Sequence, residues 1–400
     1  MNKKQFTFII AVTDEPYYEE CVYYIQRLKI PHGYSIDILA IHNAESMCSA
    51  YNQAMRSCNS KYKIYLHQDV FIRNEDFLSD ILKIFQSDIS IGMIGMLGGN
   101  QMPKTGMTFC AWNEGVVHAV NPDMAYLMYG SDQTKENVQV EAADGLLLAT
   151  QYDITWREDL FHDFDFYDVS QAFEMRRSGY KVVVPYQQTP WTIHDSSLVK
   201  LKKYDKSRQI CLKEYPEFFK ADNGIQYSFN EEWNELCTAL GEQLIHLIDV
   251  GEWQQVKEII DIYRNYESKD TLLEICGIIS DLYWIEKQYN SKNTIFSSNL
   301  SYQEIYKRYT EWRFLIRRME MGLPQSEYME LLDDLKRKSV SSRAIIILVI
   351  HSVLYKKEVL IKLEDFYKKI GFFNDSVYIK KICTLVKDNS IPVAYTYNKL

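Results

Sequence analysis

The front of this chain carries short runs of apolar residues with little polar alternation. Phe6 to Val12 is almost unbroken, and Ser35 to Ile41 and Tyr62 to Leu66 follow the same style. A strand with apolar side chains on both sides must be covered on both faces, which is the condition of a parallel sheet wrapped by helices. Helical patterns lie between the runs, one over Tyr18 to Leu28 and one starting at Ala44-Glu45-Ser46 and continuing through Met55. Strand and helix in alternation predict an α/β domain with a mainly parallel sheet. Ligands of such sheets sit beyond the carboxyl ends of the strands. Thr13-Asp14, His42-Asn43 and His67-Gln68-Asp69 each follow a predicted strand end, so all three are expected on one rim.

Further along come a Gly-rich strand region from Ile91 to Gly99, a loop of low regularity from Asn100 to Asn137, and a strand from Leu146 to Thr150. A polar-aromatic block, WREDLFHDFDFYD, precedes a short helix from Val169 to Ser178 and a strand in YKVVVP. Helix breakers then thin out: seven of the nine prolines lie at or before Pro216, and ten of the sixteen glycines fall within the first 180 residues. The back half is therefore expected to be helical. Trp233, Leu236, Cys237, Leu240, Leu244, Leu247 and Ile248 recur at three- and four-residue steps, and Trp253, Val256, Ile259, Ile260 and Tyr263 resume the stripe after Gly251. Segments from Leu272, from the capping box Ser301-x-x-Glu304 and from Ser326 continue the theme. No fixed repeat period emerges. The expected organisation is an α/β domain over residues 1–222 and an all-α domain, a bundle or helical hairpins, over residues 223–400.

A formal net charge of −9 disfavours a chain built around nucleic-acid backbone, which is normally met by a basic stripe. Substrate phosphate would have to be met by a metal or by backbone donors. Eight cysteines are scattered singly, which fits reduced thiols and neither a disulfide framework nor a structural zinc site. The N-terminal run enters Thr13-Asp14-Glu15 without a small-residue cleavage site and reads as a first strand. The apolar run Ala344 to Ile350 is too short to span a bilayer. No transmembrane segment and a cytoplasmic location are expected. There is no Gly-x-Gly-x-x-Gly after the first strand, no P-loop and no nucleophile elbow, so a dinucleotide oxidoreductase, a kinase and a triad hydrolase are disfavoured.

Several residues carry two readings each. Asp69 is a turn or helix-cap carboxylate, or a ligand at the rim. His67 is a hydrogen-bonded pocket histidine or a metal ligand, and His194, after the last predicted strand in WTIHDSS, is structural or functional. Asp168-x-x-Gln171 is a good N-cap signature, compatible with a second role as an exposed base. Asp144-Gly145 is a plain turn or a substrate contact.

The stretch SAYNQAMRSCNSKYKIYLHQDVFI resembles the core of family-2-like glycosyltransferases of the GT-A fold, in which a helix with a Tyr-Asn pair precedes a strand ending in an Asp-x-Asp-type motif. DGLLLATQYDITWREDLFHDFDFYDVSQAFEMRRSGYKVVVPY resembles the acceptor half of the same family, and TIHDSS its histidine-containing segment. Together the resemblance covers roughly residues 5 to 215. It implies a divalent cation, Mn²⁺ or Mg²⁺, held by Asp69 and His194, with His67 standing where the family has the first carboxylate. Imidazole is a softer ligand than carboxylate and tilts the expectation toward Mn²⁺. It implies Asp168 as general base, with Tyr167 replacing the family's Glu. Asp163 and Asp165, if close, would raise the Asp168 pKa. Thr13, Asp14, His42, Asn43, Gln68, Asp144 and Gly145 are implied in holding the nucleotide sugar, with Asn52 supporting that pocket from its helix. Rings between Trp156 and Tyr167 would stack an acceptor sugar. The implied reaction moves a sugar from a UDP- or GDP-sugar to a hydroxyl of a glycan, glycolipid or protein, with inversion, as in polysaccharide biosynthesis. The helical part would supply acceptor contacts or a homodimer interface. The alternative is a degenerate transferase-like front serving a helical interaction module; a nucleotidyltransferase lacks its usual Gly- and basic-rich loop here.

Overall fold

The computed structural model describes residues 1–120, 126–129, 137–195, 203–222, 231–266, 270–288 and 300–320. The chain divides into two compact units that change over at residue 231.

The first unit begins with β1 (Asn2–Val12), α1 (Glu15–Gln26), β2 (Ser35–His42), α2 (Met47–Ser57) and β3 (Ser60–His67). A tight turn leads to β4 (Val70–Ile72), then α3 (Phe77–Ser87), β5 (Ile91–Gly95) and β6 (Leu97–Gly99). The helix starts follow local chemistry. Asp14 caps α1 by accepting from the Tyr17 amide, with a proline in the first turn, and Ser46 caps α2 by accepting from Ser49. The segment expected to be an irregular loop from Asn100 instead contains β7 (Met102–Pro103), β8 (Glu114–Gly115), β9 (Val117–Val120) and β10 (Tyr126–Tyr129). After it come β11 (Val138–Val140), β12 (Ala142–Ala143), β13 (Leu147–Thr150), α4 (Tyr167–Arg177), β14 (Lys181–Val184), β15 (Thr192–His194), α5 (Tyr204–Glu214) and β16 (Phe219–Ala221).

The main sheet has seven strands in the order β11-β14-β5-β13-β3-β1-β2. Five of them run one way, while β13 and β11 run against them. The sheet is thus mostly parallel, with an antiparallel strand inserted at its centre. Burial follows position: β5 and β13 are buried at every residue, whereas the edge strand β2 is only half-buried. The reversal of β13 has a positional effect. Its beginning, not its end, lies where β3 and β5 end, so Asp144-Gly145 reaches the ligand rim.

A smaller sheet, β10-β9-β15-β4, stands beside this rim. Strand β15 pairs antiparallel with β4, placing His194 opposite Val70, and parallel with β9.

The second unit contains α6 (Glu231–Asp249), α7 (Trp253–Tyr263), α8 (Thr271–Gln288) and α9 (Tyr302–Glu320). Gly251 takes a left-handed φ of 79° in the turn between α6 and α7. The Trp253 and Tyr283 rings stack with centroids 4.3 Å apart, and Arg264 pairs with Asp281 at 2.6 Å, tying α7 to α8. Ser301 and Glu304 form the expected reciprocal cap on α9. Leu236, counted in the apolar stripe of α6, is 48% exposed; the buried face runs through Cys237, Leu244, Leu247 and Ile248. The segment from Ser326 lies outside the described residues. Among the described residues no helix is long and apolar enough to cross a membrane, and the cysteines there are free thiols.

Candidate active site

Asp69 sits in the turn between β3 and β4, and its carbonyl accepts the Asp195 amide at 2.8 Å. That bond continues the β4–β15 pairing and draws His194 alongside. The Asp69 Oδ1 lies 3.5 Å from His194 Nε2 and 3.9 Å from His67 Nδ1. The three ligand atoms all fall within 4.8 Å of one another. Asp69 Oδ1 is buried with no hydrogen-bond partner, an expensive state for a carboxylate oxygen unless a cation meets it. Two imidazole nitrogens and one carboxylate oxygen therefore fit a divalent transition-metal ion, and His67 joins the cluster that the motif resemblance assigned chiefly to Asp69 and His194.

The three groups shift one another's charge in different directions. Burial pushes the Asp69 pKa up, but His194 and then His67 more than offset it and hold the carboxyl below its ordinary range. Burial pushes His194 down, and the Asp69 charge more than restores it, so its pKa is raised. At His67 burial dominates and the pKa is lowered, which favours the neutral imidazole that metal ligation needs.

On the other side of the rim, Asp168 lies in the first turn of α4. It does not cap the helix as its spacing with Gln171 suggests: the cap position is Phe166, in the left-handed region at φ 62° and without a side-chain cap. The Asp168 carboxylate instead accepts from the Gly145 amide and from the Val169 amide, each at 2.8 Å. Burial, reinforced by the nearby Asp144, raises its pKa to about 7, against the opposing pull of those two amides. The carboxylate that lifts it is Asp144; Asp163 and Asp165 face Lys203 and each other instead. A carboxyl titrating near neutrality is suited to accept a proton from a hydroxyl.

Asp144 braces the same junction. Its Oδ1 accepts the Leu146 amide at 2.9 Å, and the Leu146 carbonyl accepts the His67 amide at 3.1 Å. Gly145 is required by space: a Cβ there would lie 2.0 Å from the Tyr167 hydroxyl and 3.0 Å from the Asp168 Cβ. Gly145→Ala is expected to destabilise the protein by about 1–3 kcal/mol through overpacking, read as a lowered denaturant midpoint at unchanged slope.

Burial and hydrogen bonding place three of the expected groups as follows. Asn52, expected to support the nucleotide pocket from its helix, is fully buried, donating to the Trp156 carbonyl at 2.8 Å and accepting the Trp156 amide at 2.9 Å. Trp156, Phe161, Phe166 and Tyr167 are core rings, and of the aromatic block only Phe164, 52% exposed, offers a face to solvent. Trp156 packs against Tyr51 and Tyr65, with centroids 4.8 Å away in each case. Gln68 is already engaged: its carbonyl accepts the Thr13 and Asp14 amides at 2.8 and 2.9 Å, and its amide donates to Thr13 Oγ1 at 2.9 Å.

The remaining nucleotide candidates do share the rim. Val12 pairs with His42 and Ala11 with His67, so the tips of β1, β2 and β3 are neighbours. Thr13 and Asn43 are exposed, Asn43 with a left-handed φ of 54°. His42 is half exposed and 3.2 Å from Glu15, while the Asp14 carboxylate is occupied as the α1 cap. The sequence reading overlooked the part played by Tyr167, whose hydroxyl lies 2.5 Å from His67 Nε2. The sole sequence signal was a tyrosine standing beside Asp168 where the motif leads one to expect an acid.

A family model described as "Glycosyltransferase like family" matches residues 7–215. Comparison with curated proteins gives no match.

Proposed function

Since the chain belongs to the glycosyltransferase-like family, with the match spanning the whole rim of the first unit, we propose that it transfers a sugar from a nucleoside diphosphate sugar to an acceptor hydroxyl with inversion. The observation that carries this reading is the meeting, on one rim, of three side chains able to hold a cation and a half-buried carboxyl with pKa about 7. His67, Asp69 and His194 would hold a divalent cation. When bound, that ion supplies positive charge to the diphosphate as it leaves.

Asp168 takes the proton of the acceptor hydroxyl while the acceptor oxygen forms its bond to the anomeric carbon. The bond from that carbon to the diphosphate oxygen breaks, and its electron pair departs with the nucleotide. The Gly145 and Val169 amides fix the carboxylate so that its position does not depend on the acceptor. Thr13, Asn43 and His42 face the nucleotide from the tips of the first two strands. An acceptor on a glycan, glycolipid or protein then approaches from the Asp144-Gly145 side.

Calorimetric titration with UDP- and GDP-sugars, with and without Mn²⁺, tests this. Binding of one nucleotide class, strengthened at least about tenfold by Mn²⁺, is expected. Absence of binding by every nucleotide in the presence of Mn²⁺ would overturn the reading in favour of an interaction module.

A further inference from the structure

His67 has two ring nitrogens with different neighbours. Nδ1 faces Asp69 at 3.9 Å, and Nε2 is 2.5 Å from the Tyr167 hydroxyl. A neutral imidazole carries one proton, and the nitrogen without it is the one able to ligate a metal. With Nε2–H donating to the Tyr167 oxygen, the Nδ1 lone pair points into the cluster with Asp69 and His194. We infer that Tyr167 is a positioning residue, which fixes the tautomer and ring orientation of His67 and thereby makes that histidine the third ligand of the cation site. The inference rests on the proposed reading of His67, Asp69 and His194 as that site.

The surroundings show a built arrangement. The Tyr167 ring is 4% exposed and held in an aromatic cluster, edge-on to Tyr51 at 5.9 Å and tilted against Trp156 at 6.2 Å. Its hydroxyl reaches His67 through space that only glycine leaves at position 145. The Gly145 amide holds the adjacent Asp168, so one glycine serves the base and the metal-ligand partner together. Where the motif resemblance implies a carboxylate at position 167, the phenol adds no charge beside the cluster. The donor set becomes two neutral nitrogens and one carboxylate, which suits Mn²⁺ better than Mg²⁺.

Partners that orient a ligating histidine typically contribute about 10–100-fold in metal affinity. Titration of the protein with MnCl₂ alone, followed by electron paramagnetic resonance, should therefore show Tyr167→Phe binding Mn²⁺ about 10–100-fold more weakly than wild type. The phenylalanine keeps the buried ring, and an unchanged melting profile would establish that the core is intact. In His67→Ala the further change Tyr167→Phe should cost nothing more, because the tyrosine acts through the histidine. Imidazole nitrogen NMR of the metal-free protein should find His67 protonated at Nε2 in wild type and redistributed in Tyr167→Phe. Unaltered Mn²⁺ affinity in Tyr167→Phe, additive losses in the double variant, or an Nδ1-protonated His67 in wild type would each overturn the positioning role. Failure of wild type to bind Mn²⁺ would instead remove the cation site, and the inference with it.

Discussion

Asp168→Asn is expected to lower transfer by about 10²–10⁴-fold, the usual contribution of a positioned general base, while Mn²⁺-dependent binding of the donor survives. The amide has nearly the shape of the carboxylate and can still accept one of the two backbone amides that Asp168 engages. It cannot take a proton from a hydroxyl. A donor titration in the variant separates the lost step from lost binding, and full activity would sink the assignment. The pKa of about 7 adds a signature in wild type. Below that pH the base is protonated, so kcat/KM should fall close to tenfold per unit; a flat profile from pH 5 to 8 would count against Asp168.

The same group also leaves a mark on stability. Its folded pKa lies above the ordinary carboxyl value of 3.8, so the native state holds a proton that the unfolded chain releases between about pH 4 and 7. The contribution is complete below pH 4 and is lost as pH rises to 7. Relative to Asp168→Asn, wild type should therefore lose stability across that window, by at most about 1.4 kcal/mol per pH unit. Chemical denaturation of both proteins at matched pH values measures the difference.

Asp69→Asn is expected to have a different profile: loss of Mn²⁺ binding, loss of Mn²⁺-dependent donor binding, and a fall in transfer of about 10²–10⁴-fold, corresponding to several kcal/mol of charge stabilisation. The reason is the composition of the cluster. Asp69 provides its single negative charge, and its Oδ1 has no other partner. The variant keeps both imidazoles but presents them with a neutral amide. Calorimetry with MnCl₂ gives the answer directly, and wild-type affinity in Asp69→Asn would place the ion elsewhere.

Much of the fold is legible because its signals are local. Apolar runs identify β1, β2 and β3, and polar residues after them identify the rim, since both depend on a few consecutive residues. Direction is not local. Nothing in Leu147 to Thr150 shows that β13 runs against its neighbours, because the period of a strand is the same both ways. The strands inside residues 100–137 are two to four residues long and too short to display a period; β9 is held by pairing with His194, far along the chain. The same distance hides the site's supports. Tyr167 meets His67 across 100 residues and Asn52 meets Trp156 across 104. The aromatic block misled for a related reason: composition reports rings, but only the fold decides which face water.

Gln68 occupies the place between His67 and Asp69 and binds three groups on Thr13 and Asp14. It works as a rivet between the tip of the first strand and the turn that carries Asp69. On the proposed reading, a nucleobase against Thr13 and a cation-bound diphosphate near Asp69 would be held to a common ruler, their spacing set by the protein instead of by the flexible ribose linking them.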